Sequence, residues 1–236
     1  PLRAGPAEHQ RRDPGEVRVV DVMVRFPQYG FSILTPAKCG STSVKLLAFQ
    51  ILHGANVETL EENGKVRYPH NIYPTLSFEQ EMALGPVGDV FAVVRDPEAR
   101  LVSCYVNRVH DFRALENAKA PEALAEAGLD AHPSFDEFLE NLDVLCEASQ
   151  DIRWHSRPLS FFLGTDPSFY AGLYPVHELE RFRERLSGYV DGQMPPLKWR
   201  MKGEAEVKKP AKLTDHQRAL IRERYAEDYE LYGAYF

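Results

Sequence analysis

The sequence predicts an α/β domain: a central parallel sheet of roughly four or five strands with helices on both faces. Three observations carry that expectation. Residues 89–94 (DVFAVV) form a continuous apolar run, the pattern of a strand buried on both faces. Residues 31–35 (FSILT) form a second run, followed at once by PAKCGSTS and then VKLLAFQIL. The apolar residues at 44, 47, 48, 51 and 52 fit one helical face, so this is strand, tight loop, helix. Strand-like and helix-like segments then alternate down the chain, as a parallel sheet requires.

In chain order, residues 1–16 are rich in Pro, Arg and Gly without periodicity and read as a flexible arm, leaving 17–236 as one folded domain. Residues 17–25 are β-branched and read as a strand. Residues 54–76 are irregular, with a turn signal at Asn63-Gly64 and breakers at Pro69 and Pro74. Residues 77–84 suit a short helix. After the 89–94 strand, Asp96-Pro97 supplies an N-cap and a proline at the first helical position, opening a helix to about His110. Residues 111–133 are Ala- and Glu-rich and read as an exposed helical excursion. Ser134 opens an amphipathic helix through Cys146. Residues 172–176 suit a late strand, 178–188 a charged helix, and 214–231 a final helix capped by Thr214.

Composition narrows the function classes. Lys plus Arg is 28 against 35 Asp plus Glu, a net charge of −7, so a protein that coats nucleic acid is disfavoured. An anionic ligand must instead be met by a local cluster of donors. The three cysteines, Cys39, Cys104 and Cys146, provide neither a disulfide framework nor a zinc signature, and no metal is expected. A reducing, cytoplasmic setting is expected. No apolar run is long enough for a membrane span, and the N-terminus lacks the apolar core of a signal peptide.

The segment Pro36-Ala37-Lys38-Cys39-Gly40-Ser41-Thr42-Ser43 carries most of the chemical information. It joins a strand to a helix N-terminus, where free N–H groups and the helix dipole favour a phosphate-like group. Gly40 lets backbone approach a ligand, three hydroxyls add donors, and Lys38 adds a full charge. A solvent-exposed, serine-capped turn is the plain alternative. It is not a Walker A loop: no Gly-Lys-Ser/Thr occurs in the chain, which disfavours a magnesium-dependent, kinase-like enzyme. Cys39 is reactive or, more simply, a small space-filling residue.

This loop resembles the 5′-phosphosulfate-binding loop of sulfotransferases that use 3′-phosphoadenosine 5′-phosphosulfate (PAPS). The segment Arg95-Asp96-Pro97-Glu98-Ala99-Arg100-Leu101-Val102-Ser103 resembles that family's 3′-phosphate motif, with Arg95 and Ser103 eight apart as the family has them. Tyr105-Val106-Asn107-Arg108, the 151–158 segment with Trp154 and His155, and the closing Tyr225–Gly233 stretch resemble the carbohydrate branch, which includes the chondroitin and dermatan enzymes of the Golgi and their bacterial relatives. The resemblance spans residues 31–233. It implies a P-loop-like fold, PAPS as donor with adenosine 3′,5′-bisphosphate (PAP) as product, and an acceptor hydroxyl, foremost on a carbohydrate. Lipid, small-metabolite or tyrosyl-peptide acceptors, and a catalytically silent nucleotide-binding module, are the alternatives. A soluble bacterial-type enzyme is expected rather than a Golgi-lumen one.

The resemblance assigns Lys38 to the departing phosphate oxygen, the 36–43 loop to the 5′ end of the donor, and Arg95 and Ser103 to its 3′-phosphate. The acceptor proton needs a base. His70, 25 residues before Arg95, stands where several sulfotransferase branches place one; His155 is the second histidine candidate, and a carboxylate such as Glu79 or Glu178 is the remaining alternative. The basic stretch 197–213, with Lys202 and Lys208, is either a solvated loop or a segment that closes over the 3′-phosphate or an anionic acceptor.

Overall fold

The computed structural model describes residues 24–54, 61–62, 65–66, 68–116, 120–192, 194–198 and 212–236. The 1–16 arm, most of the expected 17–25 strand, and Lys202 and Lys208 of the basic stretch lie outside the described residues.

Strands β1 (Val24–Phe26) and β2 (Phe31–Leu34) form a hairpin. The connection is too short for a parallel crossover, and Gly30 closes it at φ 70°. Helix α1 (Ser41–His53) follows. Two short strands, β3 (Glu61–Glu62) and β4 (Lys65–Val66), pair with each other, and α2 (Pro69–Ile72) and α3 (Phe78–Leu84) lead to β5 (Asp89–Val94). Next come α4 (Pro97–Cys104), which continues as a π-helix over Tyr105–Asp111, and α5 (Ala120–Glu126) to α9 (Leu159–Leu163). The series between is α6 (Phe135–Glu140), α7 (Leu142–Ala148) and α8 (Gln150–Ser156). Strand β6 (Gly172–Pro175), α10 (Leu179–Ser187), α11 (Asp215–Arg224) and α12 (Ala226–Tyr232) complete the chain.

Among the described residues the main sheet runs β1-β2-β5-β6. β2, β5 and β6 are parallel, and β1 is an antiparallel edge. The α/β expectation holds, with helices on both faces. Strand β5 shows why its sequence is apolar from Val90 onward. Phe91 and Val93 face a core shared with α1 and α10, while Val90, Ala92 and Val94 face a second core shared with α9 and α12. Asp89 N–H bonds Gly30 O at 3.0 Å where β5 begins. A Cβ on Gly88 would stand 1.8 Å from that oxygen, so only glycine lets the strand enter there.

Three expectations are corrected. The 134–146 helix is two helices broken at Asn141, although Ser134 does cap the first through a capping box with Glu137. The final helix is broken at Tyr225, whose hydroxyl donates to Ser156 O at 2.6 Å and draws the ring into the core. The 111–133 segment is not simply exposed: Leu115 and Leu124 are buried in a third core with α4, α6, α7 and α11. Residues 150–163 carry two helices that no periodicity announced. Among the described residues no helix is long and apolar enough to cross a membrane.

Candidate active site

The loop between β2 and α1 is bent by two residues of left-handed backbone, Gly40 at φ 72° and Lys38 at φ 64°. Glycine is forced at position 40, because a Cβ would also press on Val176 Cγ2 at 3.1 Å. At Lys38 the conformation costs on the order of 1–2 kcal/mol and must be held by its surroundings. The surroundings are visible. Arg95 Nη1 donates to Lys38 O at 3.4 Å, and Arg100 Nε donates to Ala37 O at 3.4 Å. Both arginines of the 95–103 motif therefore grip the backbone of the 36–43 loop.

Arg100 reaches further. It donates to Arg157 O at 2.7 Å and pairs with Asp228 at 3.5 Å, both side chains being almost fully buried. Asp228 in turn accepts from the N–H groups of Leu159 and Ser160, opening α9. At the strand end, Asp96 caps α4 by accepting from Glu98 N–H at 2.7 Å. That cap and Pro97 start the helix that carries Ser103.

These elements surround a cavity of about 580 Å³. Ala37, Lys38, Gly40, Ser41, Thr42, Ser43, Arg95 and Ser103 line it, so the two motifs meet in one place. Pro36 and Cys39 do not reach the wall. Cys39 is buried beneath the loop, and burial pushes its thiol pKa up, so it fills space rather than reacts. Three basic side chains, Lys38, Arg95 and Arg108, stand on the wall against one carboxylate, Asp111. A locally positive cavity thus sits in an acidic protein. Burial, reinforced by Arg108 and Arg95, lowers Lys38 to a pKa of about 8, and its ammonium donates to Asn107 Oδ1 at 2.7 Å. No side chain caps the first turn of α1, leaving its opening N–H groups for a ligand or water.

Both predicted histidines line the same cavity. His70, on α2, lies between two residues of α1: Nε2 is 3.0 Å from Thr42 Oγ1 and Nδ1 is 3.1 Å from Lys45 Nζ. Burial, then Lys45, lowers its pKa to about 3. His155, on α8, stands 2.7 Å from Asp151 O through Nδ1. A carbonyl can only accept, so Nδ1 carries a proton and Nε2 is the free nitrogen. The carboxylate candidates do not join them: Glu79 is exposed on α3, Glu178 pairs with Arg181, and neither lines the cavity. Among the described residues no three His, Cys, Asp or Glu side chains group as metal ligands do.

Several wall residues carried no assigned role in the sequence. Asn107, Arg108 and Asp111 come from the π-helical turn, and Tyr68, Phe112 and Trp154 add aromatic surface. Arg108 is held by Asp151 at 3.1 Å and lies 4.5 Å over the Phe112 ring. An α-helical reading of 97–110 does not announce the change of pitch. Lys45, fully buried, was hidden because it interrupts an otherwise apolar helix face by a single residue.

The family model described as the sulfotransferase family matches residues 22–235. No curated protein and no solved structure matches the chain.

Proposed function

The chain belongs to the sulfotransferase family, and from that premise we propose that it moves a sulfuryl group from PAPS to an acceptor hydroxyl on a carbohydrate. The observation that carries the donor assignment is the convergence of the 38–43 loop, Arg95 and Ser103 on one cationic cavity. The residues fit such a donor. The uncapped first turn of α1 and the Ser41, Thr42 and Ser43 hydroxyls suit one anionic group, and Arg95 with Ser103 suits a second. When bound, the donor supplies an activated sulfuryl group on a phosphate leaving group.

The chain's own residues then have distinct tasks. Lys38 places an ammonium where charge develops on the departing oxygen; removing such a donor commonly costs ~100- to 1000-fold. Asn107 orients that ammonium. The loop amides and Arg95 bind and position. His70 takes the acceptor proton at Nε2, and Thr42, 3.0 Å away, marks where that nitrogen points. The carbohydrate reading is supported by the cavity mouth. Tyr68 and Phe112 are exposed rings beside Arg108, Asp111 and Asn107, a mix of flat apolar and hydrogen-bonding surface that suits a sugar.

The test begins with PAP. A ligand at 100 times its Kd adds about 2.7 kcal/mol, a rise of roughly 5–10 °C for a chain of this size. Labelled sulfate from PAPS should then appear on a carbohydrate acceptor. Stabilisation by PAP without transfer to any acceptor favours the silent nucleotide-binding module. Stabilisation by ATP with magnesium, and none by PAP, overturns the donor assignment.

A further inference from the structure

The buried lysine of α1 has no task in the mechanism above, yet it touches the proposed base. Lys45 Nζ lies 3.1 Å from His70 Nδ1 and 2.8 Å from Thr75 Oγ1, and the residue has no solvent exposure. No carboxylate forms an ion pair with it among the described residues. A buried ammonium with only neutral partners is costly, and an amine there is easily neutralised. Three groups in sequence, Thr42 Oγ1, the His70 ring and Lys45 Nζ, thus form a line from the cavity wall into the protein interior.

We propose that Lys45 is a positioning residue that works as the neutral partner of His70: it accepts the Nδ1 proton, leaves the Nε2 lone pair facing the cavity, and takes up that proton as the acceptor is deprotonated. The inference rests on the reading of His70 as the base. The step balances. One proton leaves the acceptor hydroxyl for Nε2, and one leaves Nδ1 for Nζ. The ring ends neutral with its proton on the other nitrogen, and Lys45 ends as an ammonium. The acceptor oxygen–sulfur bond forms as the sulfur–phosphate oxygen bond breaks, and that electron pair stays with the departing phosphate beside Lys38.

The arrangement answers a difficulty in the site. His70 alone is a poor base, with a pKa of about 3, because it is buried and faces Lys45, His155, Arg108 and Lys38. Lys45 is lowered by burial to about 7, far above its partner, so the pair stores the proton on the better base. Glu81, on α3, sits within electrostatic reach of Lys45. Burial raises Glu81 to about 7, Lys45 and Arg25 oppose that rise, and its Oε2 is buried without a hydrogen-bond partner. A charged Glu81 favours the ammonium and so sets the pH at which Lys45 becomes neutral. An ammonium at Lys45 does the reverse of the active arrangement: it donates to Nδ1 and forces the proton onto Nε2.

The tautomer is directly measurable. In ¹⁵N spectra of the wild-type protein bound to PAP, the His70 ring, assigned by its loss in His70→Ala, should shift from Nε2–H to Nδ1–H as pH rises through neutrality. The kcat profile should rise over the same interval. Glu81→Gln should move both midpoints to lower pH. Lys45→Arg, always charged, should hold Nε2–H at every pH and lower kcat at least tenfold with PAP affinity unchanged. A ring that stays Nε2–H from pH 5.5 to 9 in the wild type overturns the inference, whether or not the variants fold. So does a Lys45→Arg enzyme with wild-type kcat. His70→Ala at wild-type rate removes the underlying reading of the base instead, and the two failures are thereby distinguished.

Discussion

Binding of PAP should draw protons from solution, and Lys38 sets how many. Its pKa of about 8 in the free protein leaves the ammonium about half formed at pH 8. An anionic phosphate beside it favours the charged form and returns the pKa toward 10.5, its ordinary value. The bound state is then fully protonated, so about half a proton is taken up per molecule bound at pH 8. The same arithmetic gives about a tenth of a proton at pH 7 and about nine-tenths at pH 9. A phosphate monoester with a second pKa near ~6 is already a dianion throughout, so it adds little of its own. Because the bound form holds more protons, affinity falls as pH rises from 8 towards 10. Calorimetric titration with PAP in buffers of different protonation enthalpy reads the uptake directly. Lys38→Met should abolish most of it. An uptake near zero at pH 8, or an unchanged uptake in Lys38→Met, would mean that no anion approaches Lys38 and that the loop has been assigned the wrong ligand.

Three further outcomes follow from the same geometry. Arg95→Ala should weaken PAP binding by roughly 10- to 100-fold, the loss of a hydrogen bond to a charged group, and Arg95→Lys should recover only part because it lacks the planar fork; equal PAP affinity in all three proteins rejects the 3′-phosphate site. Arg100→Met should cost about 3–5 kcal/mol in chemical denaturation, since it strands the buried Asp228 carboxylate, and a loss below about 1 kcal/mol shows the pair to be dispensable. His70→Ala should slow transfer ~100-fold or more with PAP affinity intact, while His155→Ala is milder; the opposite ranking moves the base to His155.

Much of this architecture could be read from local chemistry. The 89–94 strand was legible because burial on both faces leaves a run with no polar residue after Asp89, and the caps at Ser134 and Thr214 because a hydroxyl three residues before Glu or Gln has few other uses. The loop and Arg95 were legible as a cluster of cationic and hydroxyl groups, and the fold brings them to one cavity. What stayed hidden was set by tertiary contact. Nothing near Tyr225 in sequence reports that its hydroxyl will bond Ser156 O and break the last helix. Arg100 reads as a surface cation until the fold places Asp228 against it. Lys45 reads as a solvated residue, and only the approach of α2 turns it toward His70. The cavity wall at Arg108 and Asp111 depended on a change of helical pitch that residue types alone do not encode.

That change of pitch has a consequence for how this site can vary. The Tyr105–Asp111 stretch winds wider than the α-helix before it, which amounts to one surplus residue carried within the chain. Removing Tyr105 or Val106 would let the stretch close to 3.6 per turn: the residues beyond it would keep their register, and those next to the deletion would turn by up to about 100°. Asn107 and Arg108, nearest the deletion, would then be re-aimed on the wall, while Arg95, Ser103 and the 38–43 loop, all earlier in the chain, would keep their places. The wall opposite the 38–43 loop is therefore written in chain length as much as in residue identity. Single insertions and deletions, which point substitution never samples, are the moves that would remodel one half of the cavity and spare the other.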